Sequence, residues 1–174
     1  MSTVAIGGLN RTVTFYQSVI GKKIIMAVTG FILTGFVLAH MIGNLQVFAG
    51  PAKLNAYGAF LQSLGGILWA FRLTLLASVG LHIAMAVQLT MLKLDARPVA
   101  YVKKASLVST YAARTMIWSG PIVGAFIVYH ILHFTTGTVH PNFVHADVYH
   151  NVVTGFQNPA VSLFYMVANV LLAI

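Results

Sequence analysis

The feature that most constrains this chain is a run of 24 residues, Ile24 to Val47, that carries no Lys, Arg, Asp or Glu and is apolar at most positions. At about 1.5 Å per residue, such a run spans a hydrocarbon core of about 30 Å. Two further runs follow, residues 67 to 92 with Arg72 as the one charged residue inside, and residues 114 to 136 with Arg114 at the edge. Only 7% of the chain is charged, against about 25% in soluble globular domains. A soluble fold is excluded on that ground. The expected fold class is all-α, a polytopic membrane helix bundle forming a single domain over residues 1–174. A fourth apolar run begins at Pro159 and reaches Ile174 after 16 residues. A span normally needs about 20, so the expectation is about three and a half spans here and a protein that continues beyond Ile174.

Ten Lys and Arg against two Asp and Glu give a formal charge of +8, which in a soluble protein would point to nucleic acid. Here the basic residues flank apolar runs, so they read as orientation signals and nucleic acid is not an expected partner. Arg11, Lys22 and Lys23 precede the first span, and Lys93, Arg97, Lys103 and Lys104 lie in the loop to which the second returns. By the positive-inside rule that side is cytoplasmic, with the N-terminus on it. This basic face is where a soluble partner is expected to dock, although topology signalling alone accounts for its charge. Residues 48 to 66, turning at Gly50-Pro51, and 137 to 158 are then outward loops. His140, His145 and His150 are expected to be solvent-exposed in the second of them. Pro121 is expected in the first turns of the third span, as a mild kink.

The chain has no Cys, hence no disulfide, thiolate metal site or Cys-anchored haem, and metal chemistry must rest on its seven His. Three of these, His40, His82 and His130, fall inside predicted spans, with His133 one turn beyond the last. A lone intramembrane His is most simply an interhelical hydrogen-bonding group. One on each of three spans, among few other buried polar groups, points instead to a functional site. Depth sorts them. His40 lies 17 residues after Lys23 and His130 16 after Arg114, each roughly 24 to 25 Å from the inner edge, whereas His82 lies 11 before Lys93, roughly 16 Å from it. His40 and His130 thus share an outer layer and His82 belongs to another. Imidazole pairs suit a six-coordinate haem iron that transfers electrons, while zinc needs three or four ligands. Ser78 and Ala86, flanking His82 at minus and plus four, are small enough to admit a flat macrocycle, but are equally ordinary helix-packing positions. Asn44 and Arg72 are candidates for haem propionate contacts. As plainer alternatives, Asn44 caps toward the interface and Arg72 snorkels to it.

Residues 20–31 (IGKKIIMAVTGF) and 38–48 (LAHMIGNLQVF), with 54–57 (LNAY), 79–82 (VGLH) and 158–165 (NPAVSLFY), resemble the cytochrome b membrane-anchor subunit of bacterial succinate dehydrogenases and fumarate reductases, in the single-anchor, two-haem class. The similarity runs from about residue 18 to the end. It implies five transmembrane helices, two b haems, and electron exchange with menaquinone or ubiquinone. It implies docking to a flavoprotein subunit and an iron-sulfur subunit, which hold the dicarboxylate chemistry of respiratory complex II. It implies the bacterial cytoplasmic membrane, with membrane lipid around the spans. By the same resemblance His40 and His130 are the axial ligands of the distal haem, and His82 is the first ligand of the proximal haem. The proximal partner falls at the position immediately after Ile174, so this sequence stops one residue short of it. His130 rather than His133 takes the ligand role because it is level with His40 and ten residues after Gly120. His133 is left as a propionate or quinone contact, or an interfacial residue without a role.

Two rival functions remain open at this stage. A transporter or proton channel would use the buried His to relay protons, and a haem-free structural anchor would use them in packing. Both would be colourless. Neither the direction, succinate oxidation or fumarate reduction, nor the quinone type can be read from the chain.

Overall fold

The structure, a computed structural model, describes residues 13–96, 99 and 109–173. Arg11, Arg97, Lys103, Lys104 and the position after Ile174 lie outside the described residues. Every regular element among the described residues is helical: α1 (Val19–Asn44), a 3-10 turn (Leu45–Ala49), α2 (Pro51–Ser63), α3 (Gly66–Asp95), α4 (Tyr111–His130), a π turn (Ile131–Thr135), α5 (Val148–Phe156) and α6 (Pro159–Ala173). Helices are what an apolar solvent demands, since it offers the backbone no hydrogen bonds of its own. Three stretches are long and apolar enough to cross a membrane, Val19–Ala49, Gly66–Asp95 and Ala113–Thr135. A fourth qualifies if α5 and α6, bent by 98° at their junction, count as one. This is a membrane-embedded helical protein.

Two compact units are present. The first, Met1–Asn44 with Leu61–Val102, is built on α1 and α3. Tyr16 Oη accepts from Gln88 at 3.1 Å, and Thr29 meets His82 at 3.1 Å, so contacts that advance along α1 retreat along α3 and the pair is antiparallel. The facing residues follow helical spacing. Lys22 and Thr29 are buried on one side, Ser78 and Met85 on the other. Lys22 is thereby removed from the basic inner face on which the sequence set it. Its ammonium lies 4.9 Å from the Tyr16 ring centroid and donates to the Tyr16 carbonyl at 2.9 Å. Lys23, next to it, is exposed.

The second unit, Leu45–Phe60 with Lys103–Ile174, joins α4 and α6 by a run of rings. Phe126, Tyr129 and His130 of α4 stand edge-on or tilted against Phe164 and Tyr165 of α6 at centroid distances of 5.0 to 6.0 Å. Such pairs contribute roughly 0.5–1.5 kcal/mol each beyond the area they bury. Helix α4 begins at a Thr110 cap, whose hydroxyl accepts from the Ala113 amide, earlier than the Arg114 expected. Pro121 therefore sits mid-helix rather than in the first turns, and α4 runs through it.

Both segments read as loops, residues 48–66 and 137–158, contain helices that the sequence reading left out. Gly50, at φ +92°, hands over to Pro51 as the first residue of α2, which ends before Gly65 at φ +52°, a left-handed position that glycine adopts without strain. α5 starts from an Asp147 cap and buries Asn151 and Gly155, one turn apart. With an amide and a glycine as its buried residues and nine residues in all, it was read as part of a polar loop.

Gly155 is where α5 approaches closest. A β-carbon there would lie 3.0 Å from His133 Cε1 and 3.1 Å from both His140 Nε2 and the Phe134 ring. Gly155→Ala should destabilise the protein by about 1–3 kcal/mol through overpacking. Gly124→Ala, where a β-carbon meets nothing within 4 Å, should be near neutral. Thermal unfolding of both variants in detergent checks the contrast, and equal midpoints would refute it.

Candidate functional site

The candidate ligands are placed by helices. His82 lies near the middle of α3, 16 residues after Gly66 and 13 before Asp95. His40 is one turn from the end of α1, and His130 is the last residue of α4. His40 and Arg72 belong to the first unit and His130 to the second.

His82 has the most defined surroundings. Its Nδ1 lies 3.2 Å from the Met26 carbonyl oxygen and 3.1 Å from Thr29 Oγ1, both on α1. A carbonyl oxygen only accepts, so Nδ1 carries the proton and donates, shared between the two oxygens. The Thr29 hydroxyl proton goes to the Ile25 carbonyl at 2.8 Å or that of Met26 at 3.1 Å. The Nε2 lone pair of His82 is then the one offered to a metal, with the other ring nitrogen tied to a carbonyl as metal-ligating imidazoles usually are. Gly30 faces the same ring, where a β-carbon would come within 3.3 Å of Cε1.

His40 is exposed on its unit and tilted against Phe36 at 5.3 Å. The Asn44 amide, one turn on, donates to the His40 carbonyl at 2.9 Å and lies 3.2 and 3.3 Å from the two ring nitrogens. Asn44 thus attends His40 itself, as well as standing where a propionate contact was expected. Arg72 is exposed, with its guanidinium 5.1 Å from the Trp69 ring centroid, a cation–π pairing.

In the second unit Tyr165 Oη lies 3.1 Å from His133 Nδ1 and 3.5 Å from His130 Nδ1. His133 is 2% exposed and stacked on His140 at 4.9 Å. His133 is thus buried within this unit. The π turn, closed by the Thr136 amide on the Ile131 carbonyl, adds a residue to the helical turn and re-aims the segment after His130.

His140 is also misread by the sequence. It is 5% exposed rather than solvated, and both its nitrogens are committed, Nε2 to the Asn151 carbonyl at 2.9 Å and Nδ1 to the Asn142 amide at 3.2 Å. A residue locked in that way is structural. His150 is partly exposed, with Nε2 3.1 Å from the Asn142 carbonyl, and His145 is exposed, edge-on to Phe143.

Four polar residues that sequence reasoning passed over build the outer part of this unit. Asn55 of α2 donates to Asp147 Oδ1 at 2.9 Å and accepts from the Tyr149 amide at 2.9 Å. Asn151 makes a two-way bond with Val144, accepting from its amide and donating to its carbonyl, each at 2.8 Å. Tyr165 was visible only as part of a resembling string. Asp147, a lone acid before a short helix, had a readable signal as an N-cap.

The Asp147 carboxyl is held below its ordinary value of 3.8, first by the His150 amide and then by the Asn55 side chain. A lowered folded value means that the cap's contribution is present above the unfolded value and is lost as pH falls through the folded one. Amide exchange at His150 should therefore stay slow, relative to its intrinsic rate, from neutral pH down through the ordinary carboxylate range, and lose protection only below it. Loss of protection between pH 5 and 7 would contradict this.

Comparison with protein-family models, with curated proteins and with solved structures finds no match to this chain.

Proposed function

We propose that this chain is the haem b-carrying membrane anchor of a succinate:quinone oxidoreductase, passing electrons between an iron-sulfur subunit and membrane quinone. The observation that carries the reading is His82, held mid-helix by the Met26 carbonyl and Thr29 so that Nε2 is the free ligand nitrogen. The strings shared with the cytochrome b anchors, and a candidate ligand on each of three apolar helices, support it.

In this reading His40 and His130 would hold the distal haem and His82 would be a ligand of the proximal one. A haem b held by imidazoles would supply one-electron exchange. The protein's own part is to bind, orient and insulate. The Met26 carbonyl holds the His82 ring in the ligating tautomer, Asn44 does its work around His40, and Tyr165 bridges the His130 and His133 rings. The apolar helices keep water and counter-ions away, which tunes the bound group through burial. The flavoprotein and iron-sulfur subunits carry the dicarboxylate site, and menaquinone or ubiquinone is the membrane substrate.

A proton relay is the second reading, favoured by the contacts that run from His130 through Tyr165 to His133 and His140. His133 and His140 meet by stacking at 25°, and the His140 nitrogens are spent on Asn151 and Asn142. A relay needs hydrogen bonds end to end, so this reading is the weaker.

A reduced-minus-oxidised visible spectrum of the intact complex tests the proposal. Two b haems are expected. His40→Ala or His130→Ala should remove one, His82→Ala the other, and His133→Ala neither. A colourless wild-type complex would sink the haem reading, and haem halved by His133→Ala but not by His130→Ala would move the ligand one turn along.

A further inference from the structure

We infer that Thr29 is a positioning residue for His82, setting how strongly that imidazole donates to the iron; the inference rests on the reading of His82 as a haem ligand. Thr29 is buried, and its hydroxyl faces two ways. Its proton is directed back along α1 to the Ile25 or Met26 carbonyl, at 2.8 and 3.1 Å, so its lone pair faces His82 Nδ1 at 3.1 Å. The Met26 carbonyl takes a share of the same N–H at 3.2 Å. Two acceptors on one donor fix the ring's rotation as well as its tautomer. Gly30 completes the arrangement from the next position of α1, because a β-carbon there would press on Cε1 at 3.3 Å.

The chemical effect follows from the direction of the bond. An imidazole whose Nδ1 proton is drawn toward oxygen is more basic at Nε2 and stabilises ferric over ferrous iron. Removing the Thr29 oxygen leaves only the Met26 carbonyl on Nδ1, so the ligand weakens without being lost. Thr29→Val keeps the shape of the side chain and deletes the hydroxyl, whereas Thr29→Ser keeps the hydroxyl and deletes a methyl.

The experiment is a redox titration of the intact complex, following the visible band and the low-spin electron paramagnetic resonance signal of the haem that His82→Ala abolishes. Thr29→Val should raise the midpoint potential of that haem and shift its signal, leave the second haem unchanged, and be rescued by Thr29→Ser. Should Thr29→Val fail to retain the haem, loss in Thr29→Ala with retention in Thr29→Ser carries the same conclusion, because the hydroxyl is what separates them. An unchanged potential in Thr29→Val, or equal shifts or equal haem loss in the valine and serine variants, would overturn the assignment. A wild-type complex without haem fails the parent reading first, and is seen before any variant is made.

Discussion

A hydrocarbon interior gives a polar atom nothing to bond to, and the described structure is arranged around that constraint. Among the described residues, no buried side-chain nitrogen or oxygen lacks a hydrogen-bond partner. Lys22 bonds the Tyr16 carbonyl, Thr29 the carbonyls behind it, and His140 a carbonyl and an amide. Leaving one such group unmade costs about 1–3 kcal/mol, more than the bond itself contributes net. The candidate ligands follow the same rule, which is why the tautomer of His82 can be read from its neighbours at all. Binding chemistry and packing chemistry are here the same hydrogen bonds.

The constraint relaxes toward the ends of the helices, and the second unit uses the freedom. Where the apolar runs stop, polar side chains take over from packing: Asn55 and Asp147 bond each other and one backbone amide each, and the Asn151 side chain bonds backbone alone. The result is a folded set of short helices and turns around His133 and His140, with Gly155 in close contact with both imidazoles.

Much of this was legible beforehand, unevenly. The three spanning stretches followed from run length and charge position, because hydrophobic matching to a bilayer acts on whole segments and tolerates an error of a few residues. The α2 helix was lost because its one buried residue, Leu54, sets no apolar period, and α5 because its nine residues, although amphipathic, lie inside a polar, histidine-rich loop. His140 was misplaced for a related reason. A polar loop composition says that residues seek hydrogen bonds, and in this loop they find them in one another rather than in water. The partner of Tyr165 was out of reach because the π turn shifts the register after His130, which no single residue in Ile131–Thr135 announces.

The two-way bond between Asn151 and Val144 has a consequence for how this sequence is free to drift. The Asn151 side chain engages only the amide and carbonyl of residue 144, groups that every residue except proline presents identically, and the Val144 side chain is itself exposed. Position 144 therefore accepts nearly any replacement, while position 151 must keep one donor and one acceptor at a fixed reach. Aspartate forfeits the donor and glutamine overshoots by a carbon. In related sequences the conserved member of this pair should be the buried amide, and its partner should look like an ordinary variable loop residue.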